Sequence, residues 1–151
     1  MLKKFFSVLI LLSVTICASA TAEIQDPDND PNLVLFHQHQ GYANYLYQNS
    51  LRVKNRNSLK VISFDFMTYD SINPENTDWD RVENMEFAYD ESTRKVYFID
   101  QNGNLDFLDP NGTIAEGSGY ASGAEIVYYL ATGKRFYGTY DDAFYERLPV
   151  G

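Results

Sequence analysis

LKVISFDFMTYD, residues 59 to 70, is the stretch on which the fold turns. Successive side chains of a strand point to opposite faces, so Ile62, Phe64 and Phe66 share one side. Val61, Met67 and Tyr69 fall on the other. A strand with one wet face carries apolar groups on one side only. Apolar groups on both sides fit a central strand, a bulge, or material packed on each face. Asp65 is the exception, a carboxylate set between Phe64 and Phe66.

Short strand-like runs separated by turn residues extend in both directions from this stretch, the pattern of an antiparallel sheet. Upstream, LVLFHQ (33–38) reads as a first strand, Gly41 as a turn, and YANYLYQ (42–48) as a second strand. Asn49-Ser50 breaks that second strand, LRVK (51–54) resumes it, and NRNS (55–58) turns the chain into the long strand. Downstream, SINPENTD (71–78) is a loop and WDRVENMEFAYD (79–90) a strand, with Met85, Phe87 and Tyr89 alternating against Glu86, Ala88 and Asp90. ESTR (91–94) turns, KVYFID (95–100) returns, and LDFLD (105–109) closes the series.

FIDQNGNLDFLDPNGT (98–113) is rich enough in oxygen to resemble a calcium loop. A twelve-residue loop of that kind needs Gly at position 6 and Glu at position 12. Counted from Asp100, those positions hold Leu105 and Asn111. The residues fit turns instead. Asp100-Gln101-Asn102-Gly103 puts Asp at i and Gly at i+3 of a type I turn, and Asp109-Pro110-Asn111-Gly112 adds Pro at i+1. The stretch therefore predicts a hairpin and then an exit toward a helix. Asn111-Gly112-Thr113 also satisfies the glycosylation pattern, a weak signal in so short a motif.

SGAEIVYYLATGK (122–134) predicts that helix. Ser122 and Glu125 have capping-box spacing, Ile126, Val127, Leu130 and Ala131 form an apolar stripe, and Gly133 suits the left-handed cap. GSGYASG (117–123) reads as a flexible lead into it. FYGTYDDAFYERL (136–148) predicts a further short helical turn, capped by Thr139 or Asp141 and docked by Phe144, Tyr145 and Leu148.

Residues 1 to 20, MLKKFFSVLILLSVTICASA, have the form of a secretory signal: two Lys, a short apolar run, and small residues before the cleavage point. Cleavage is expected after Ala20, with Ala22 as the alternative. Ile16 before Cys17 does not suit a lipid-attachment site. Residues 21 to 32, TAEIQDPDNDPN, read as a flexible N-terminal segment, and residues 33 to 151 as one domain. DPDND (26–30) starts like a calcium loop, but Pro31 and His37 occupy its Gly and Glu positions. Loss of Lys3 and Lys4 leaves 10 basic against 21 acidic residues, a net charge of −11. Such acidity opposes nucleic acid and anionic membrane surfaces and suits a cationic partner. Cleavage also removes the sole Cys, along with Phe5 and Phe6, so packing by 12 Tyr, the remaining 8 Phe and Trp79 must stabilise the domain.

Candidate chemistry is sparse. His37 and His39 would point to one face of a strand, a metal-ligand spacing, but the chain has no further His and no mature Cys. Asp65 is the best single carboxylate for a hydrolase, without an identifiable partner acid. No G-x-S-x-G and no phosphate-binding Gly loop occurs. Tyr42, Tyr45, Tyr47, Tyr128, Tyr129, Tyr137, Tyr140 and Tyr145 would give an aromatic surface if exposed, or core and rim packing if not. The residues thus supply no catalytic, cofactor-binding or metal site.

The cadence YLYQNSLRV, long strand, EFAYDESTRKVYFI, LDPNGT and AEIVYYLATGKRFYG resembles small, functionally uncharacterised secreted proteins of bacteria with an outer membrane, loosely of the surface-adhesin-E kind. The likeness covers about residues 42 to 145. Those proteins commonly carry Cys in the mature domain, and this chain has none there. The resemblance implies a small α+β domain in the periplasm or at the cell surface that binds a macromolecule, protein or glycan, and it transfers no site residues. The expectation is therefore an α+β fold with an antiparallel sheet of five or six strands and a C-terminal helix packed on one face. The expected function is non-enzymatic binding, with a carboxylate hydrolase or an envelope-assembly subunit as alternatives.

Overall fold

The computed structural model describes residues 26–112 and 118–150. The signal-like segment with Cys17, and Thr113 of the glycosylation pattern, lie outside the described residues. The fold is α+β, with a seven-stranded antiparallel sheet and one main helix. The strands are β1 (Leu33–His39), β2 (Tyr42–Tyr47), β3 (Arg52–Arg56), β4 (Leu59–Asp70), β5 (Glu83–Asp90), β6 (Lys95–Ile99) and β7 (Leu105–Phe107). The helices are α1 (Ser118–Thr132) and α2 (Asp142–Arg147).

The strand count corrects the expectation of five or six. LRVK is a strand of its own, β3, hydrogen-bonded to β4 through a two-residue hairpin. Gln40 and Gly41, and likewise Asn57 and Ser58, have positive φ, as type I′ hairpin turns require. Yet β3 does continue the line of β2. Both pair with the same edge of β4, β2 along Leu46↔Phe66 to Tyr42↔Asp70 and β3 along Arg52↔Ser63 to Arg56↔Leu59. The summed register rises from 112 to 115 across the break, so three extra residues are accommodated there. They form the 3₁₀ turn Gln48–Ser50. Ser50 mends the gap: its Oγ accepts from the Asp65 amide at 2.8 Å and donates to the Tyr47 carbonyl at 2.6 Å. A buried amide that loses its ladder partner needs such a substitute.

β4 is central as its two apolar faces predict. Ile62, Phe64 and Phe66 are buried in one continuous cluster that includes Val34, Leu46, Phe87, Tyr89 and Val96. Ala121, Ala124, Ile126, Val127, Tyr128 and Leu130 of α1 belong to the same cluster. The other face carries two small clusters, Ala43, Tyr45 and Met67 at one end and Val61, Ala88 and Ile99 at the other.

Three further readings need correction. Trp79 to Val82 are not strand; β5 starts at Glu83. α1 begins at Ser118, so Ser122 is not its N-cap and Ser122 and Glu125 do not form a capping box. GSGYASG is helical from its second residue, and Gly119 and Gly123 serve close approach. A Cβ on Gly123 would lie 2.5 Å from the Phe36 carbonyl oxygen, and one on Gly119 2.7 Å from His37 Cε1. Against the backbone oxygen at Gly123, only glycine admits such contact between a helix and a strand. Gly133 (φ +68°) ends α1 as expected, its amide bonded to the Tyr129 carbonyl at 2.8 Å. Asp141 caps α2 by accepting from the Phe144 amide at 2.8 Å.

Candidate functional site

Glu125 is fully buried and is bonded to the chain beyond α1. Its carboxylate accepts from the amides of Phe136 (3.1 Å), Tyr137 (2.5 Å) and Gly138 (3.2 Å), and from Tyr145 Oη (2.5 Å). Four donors satisfy a buried charge in full, the condition under which such a charge is tolerated. The carboxylate joins α1 to the following loop and to α2. It is an internal anchor held by these four protein donors.

The candidate residues from the sequence do not converge. Asp65 is half-buried on the Val61 face, opposite Asn84, whose Nδ2 donates to Asp65 Oδ1 at 2.9 Å. The acid one pair further along, Glu86, is bound to Lys54 at 2.6 Å. His37 and His39 do share a face. His37 stacks on Tyr120 at 4.3 Å, and burial pushes its pKa down against the opposing pull of the Gly119 backbone. Among the described residues, no group of three or more His, Cys, Asp or Glu is placed to hold a metal ion.

The run from Asp100 forms turns. The Gly103 amide bonds the Asp100 carbonyl at 2.9 Å, and the Gly112 amide bonds the Asp109 carbonyl at 3.1 Å. Asp100 Oδ1 accepts from the amides of Asn102 and Asn104, both at 2.8 Å, and Asn104 Nδ2 donates to its Oδ2. These bonds, chiefly those from Asn104, hold the Asp100 pKa below the usual carboxylate value. The Tyr residues do not form an exposed groove. Of the eight, only Tyr42 is more than about one-third exposed, at 54%.

Two features of the Val61 face stand out, and periodicity alone shows neither, since both arise where separate strands and loops meet. The first is an apolar patch at the β6–β7 end. Val61, Ala88 and Ile99 form its floor, with Leu59 and Tyr97 beside them. Leu105 and Phe107 stand exposed at 45% and 46%. Tyr97 and Phe107 lie 5.8 Å apart, and Lys95 Nζ sits 5.6 Å from the Phe107 ring centre. A depression of about 170 Å³ opens between Arg56 and Leu105 over this floor.

The second is a groove of about 530 Å³ at the opposite end, next to the Ala43–Tyr45–Met67 cluster. Leu33, Tyr47, Met67 and Trp79 line it with apolar surface, and Asp26, Asp30 and Asp80 line it with carboxylates. One wall comes from residues 26–32, the segment expected to be flexible. There the 3₁₀ turn Pro27–Asn29 buries Pro27, and Asp28 accepts from Tyr45 Oη at 2.8 Å. The opposite wall is the loop carrying Trp79, whose ring lies 5.9 Å from that of Tyr69.

Among the described residues, no helix is long and apolar enough to cross a membrane. Comparison with family models, with curated proteins and with solved structures finds no match.

Proposed function

We propose that the chain is a non-enzymatic exported protein, periplasmic or at the cell surface, that binds a protein or glycan partner in the manner of an adhesin-like module. The reading takes α1 as the element packed over the Phe64 face, so that the Val61 face is the one left to meet a partner. The observation that carries it is the apolar patch at the β6–β7 end, where Leu105 and Phe107 stand in solvent beside the buried Val61, Ala88 and Ile99. A contiguous apolar surface edged by charge, here by Arg56 and Lys95, is the usual mark of an interaction site. The signal-like N-terminus and the resemblance to secreted envelope proteins favour a partner outside the cytoplasm. The hydrolase alternative has less support, because Asp65 faces an amide, Asn84, across the strand pair. An envelope-assembly subunit would use the same patch against a neighbouring subunit.

The test is cross-linking of the exported chain in intact cells, compared with Leu105→Asp and Phe107→Asp. Loss of a cross-linked species in both variants, with unchanged melting temperature, is the expected result. An unchanged cross-linking pattern would sink the patch as the contact. Turnover of a substrate by protein purified to constant specific activity would sink the non-enzymatic reading.

A further inference from the structure

We infer that the groove between the Pro27 turn and Trp79 is a docking site for a basic peptide segment of a protein partner. Its shape and its charge both lead there. The groove lies within the volume range of ligand sites, and its walls are apolar: Leu33, Tyr47, Met67 and Trp79. Its carboxylates stand on both sides, Asp26 and Asp30 on the N-terminal segment and Asp80 on the loop after Trp79. No basic residue lines it. Nor does any Lys or Arg occur from Thr21 to Leu51 or from Val61 to Asp80, the stretches that supply every wall residue. The negative field of the groove is therefore not neutralised within its own walls.

An aromatic surface edged by carboxylates fits a Lys or Arg side chain doubly. The aliphatic stem lies on the rings, and the charged head meets the ring face and the carboxylate. Acidic groups on two separate segments favour more than one cationic head at once, which a run of basic residues supplies and a single ammonium does not. Anionic ligands are repelled. A neutral glycan would stack on Trp79 and Tyr47 without using the acids. This groove is distinct from the apolar patch at the β6–β7 end, and the inference does not depend on that patch.

Trp79 is the sole Trp of the chain, so its emission reports on the groove alone. The exported chain is titrated with amidated tetralysine, with tetraglutamate, with spermine and with chitotetraose. The expected result is a saturable change in Trp79 emission with tetralysine only, weakened about tenfold when salt rises from low to several hundred millimolar. Asp80→Asn should weaken it severalfold with an unchanged melting temperature, and Asp30→Asn combined with it should weaken it further. Leu105→Asp should leave it unchanged, which separates failure here from failure of the patch. Equal binding by Asp80→Asn and the unaltered chain overturns the inference. So does a salt-independent response to chitotetraose, which reassigns the groove to a glycan. Spermine binding as tightly as tetralysine reassigns it to a free polyamine, and no response to any ligand removes the site.

Discussion

The two faces of the sheet are built from the same strands and bury their apolar side chains in different ways. On the Phe64 face, one cluster runs without interruption from Val34 to Leu130. On the Val61 face, the apolar residues fall into two groups, around Met67 and around Val61. Between them along β4 and β5 lie Ser63, Asp65, Asn84 and Glu86. A continuous apolar surface closes on itself and gains in proportion to the area removed from water. A surface divided by polar residues leaves separate small patches in place of one continuous core. A few polar residues at alternate positions are thus enough to keep one face of a sheet from forming a single core.

The comparison can be tested by substitutions on each side. Glu125→Ala should have the largest effect. It strands three amides, that of Phe136 buried, and the buried Tyr145 hydroxyl, and should cost about 3–5 kcal/mol in urea unfolding. Phe64→Ala opens a cavity in the continuous cluster and should cost about 3–5 kcal/mol by the same measurement. A loss below about 1 kcal/mol would mean that this face is loosely packed. Ser50→Ala removes the acceptor of the Asp65 amide and should cost about 1–2 kcal/mol, with faster hydrogen exchange at that amide. Phe107→Ser, on the Val61 face, should stay within about 0.5 kcal/mol of the unaltered chain. A large loss there would erase the distinction between the faces.

The smallest effect concerns acid. Hydrogen bonds from Ser92 and Thr93 hold the Asp90 pKa down, to about 2, in the β5–β6 turn. A carboxylate with a depressed folded pKa stabilises above its unfolded value, about 3.9, and that contribution is lost as pH falls through the folded value. NMR titration should place the Asp90 midpoint near 2 in the folded chain. Asp90→Asn should flatten the stability profile between about pH 4 and pH 2.

Period and turn chemistry made much of this fold readable. The two-sided pattern of 59–70 places β4 at the centre, and Asp and Gly at fixed turn positions place the β6–β7 hairpin. The Gly133 and Asp141 caps are local and equally readable. What sequence reasoning missed depends on distant partners. Glu125 has the spacing of a capping box, but its true donors lie 11 to 20 residues further on. Gly119 and Gly123 look like flexibility until Phe36 and His37 are seen against them. The groove needs residues 26–33, Tyr47, Met67 and Trp79 to meet, and no single window contains them. Composition gave one usable hint, the long stretches without Lys or Arg.

The Glu125 anchor also has a consequence for timing. A chain emerges from the ribosome or an export channel N-terminus first, so β1 to β7 and α1 are available before residues 136–145. Until those arrive, burial of α1 would leave the Glu125 carboxyl without its hydrogen-bond donors. Residues 136–145 therefore complete the surroundings of Glu125, and a chain cut after Arg135 should be left open and sensitive to protease.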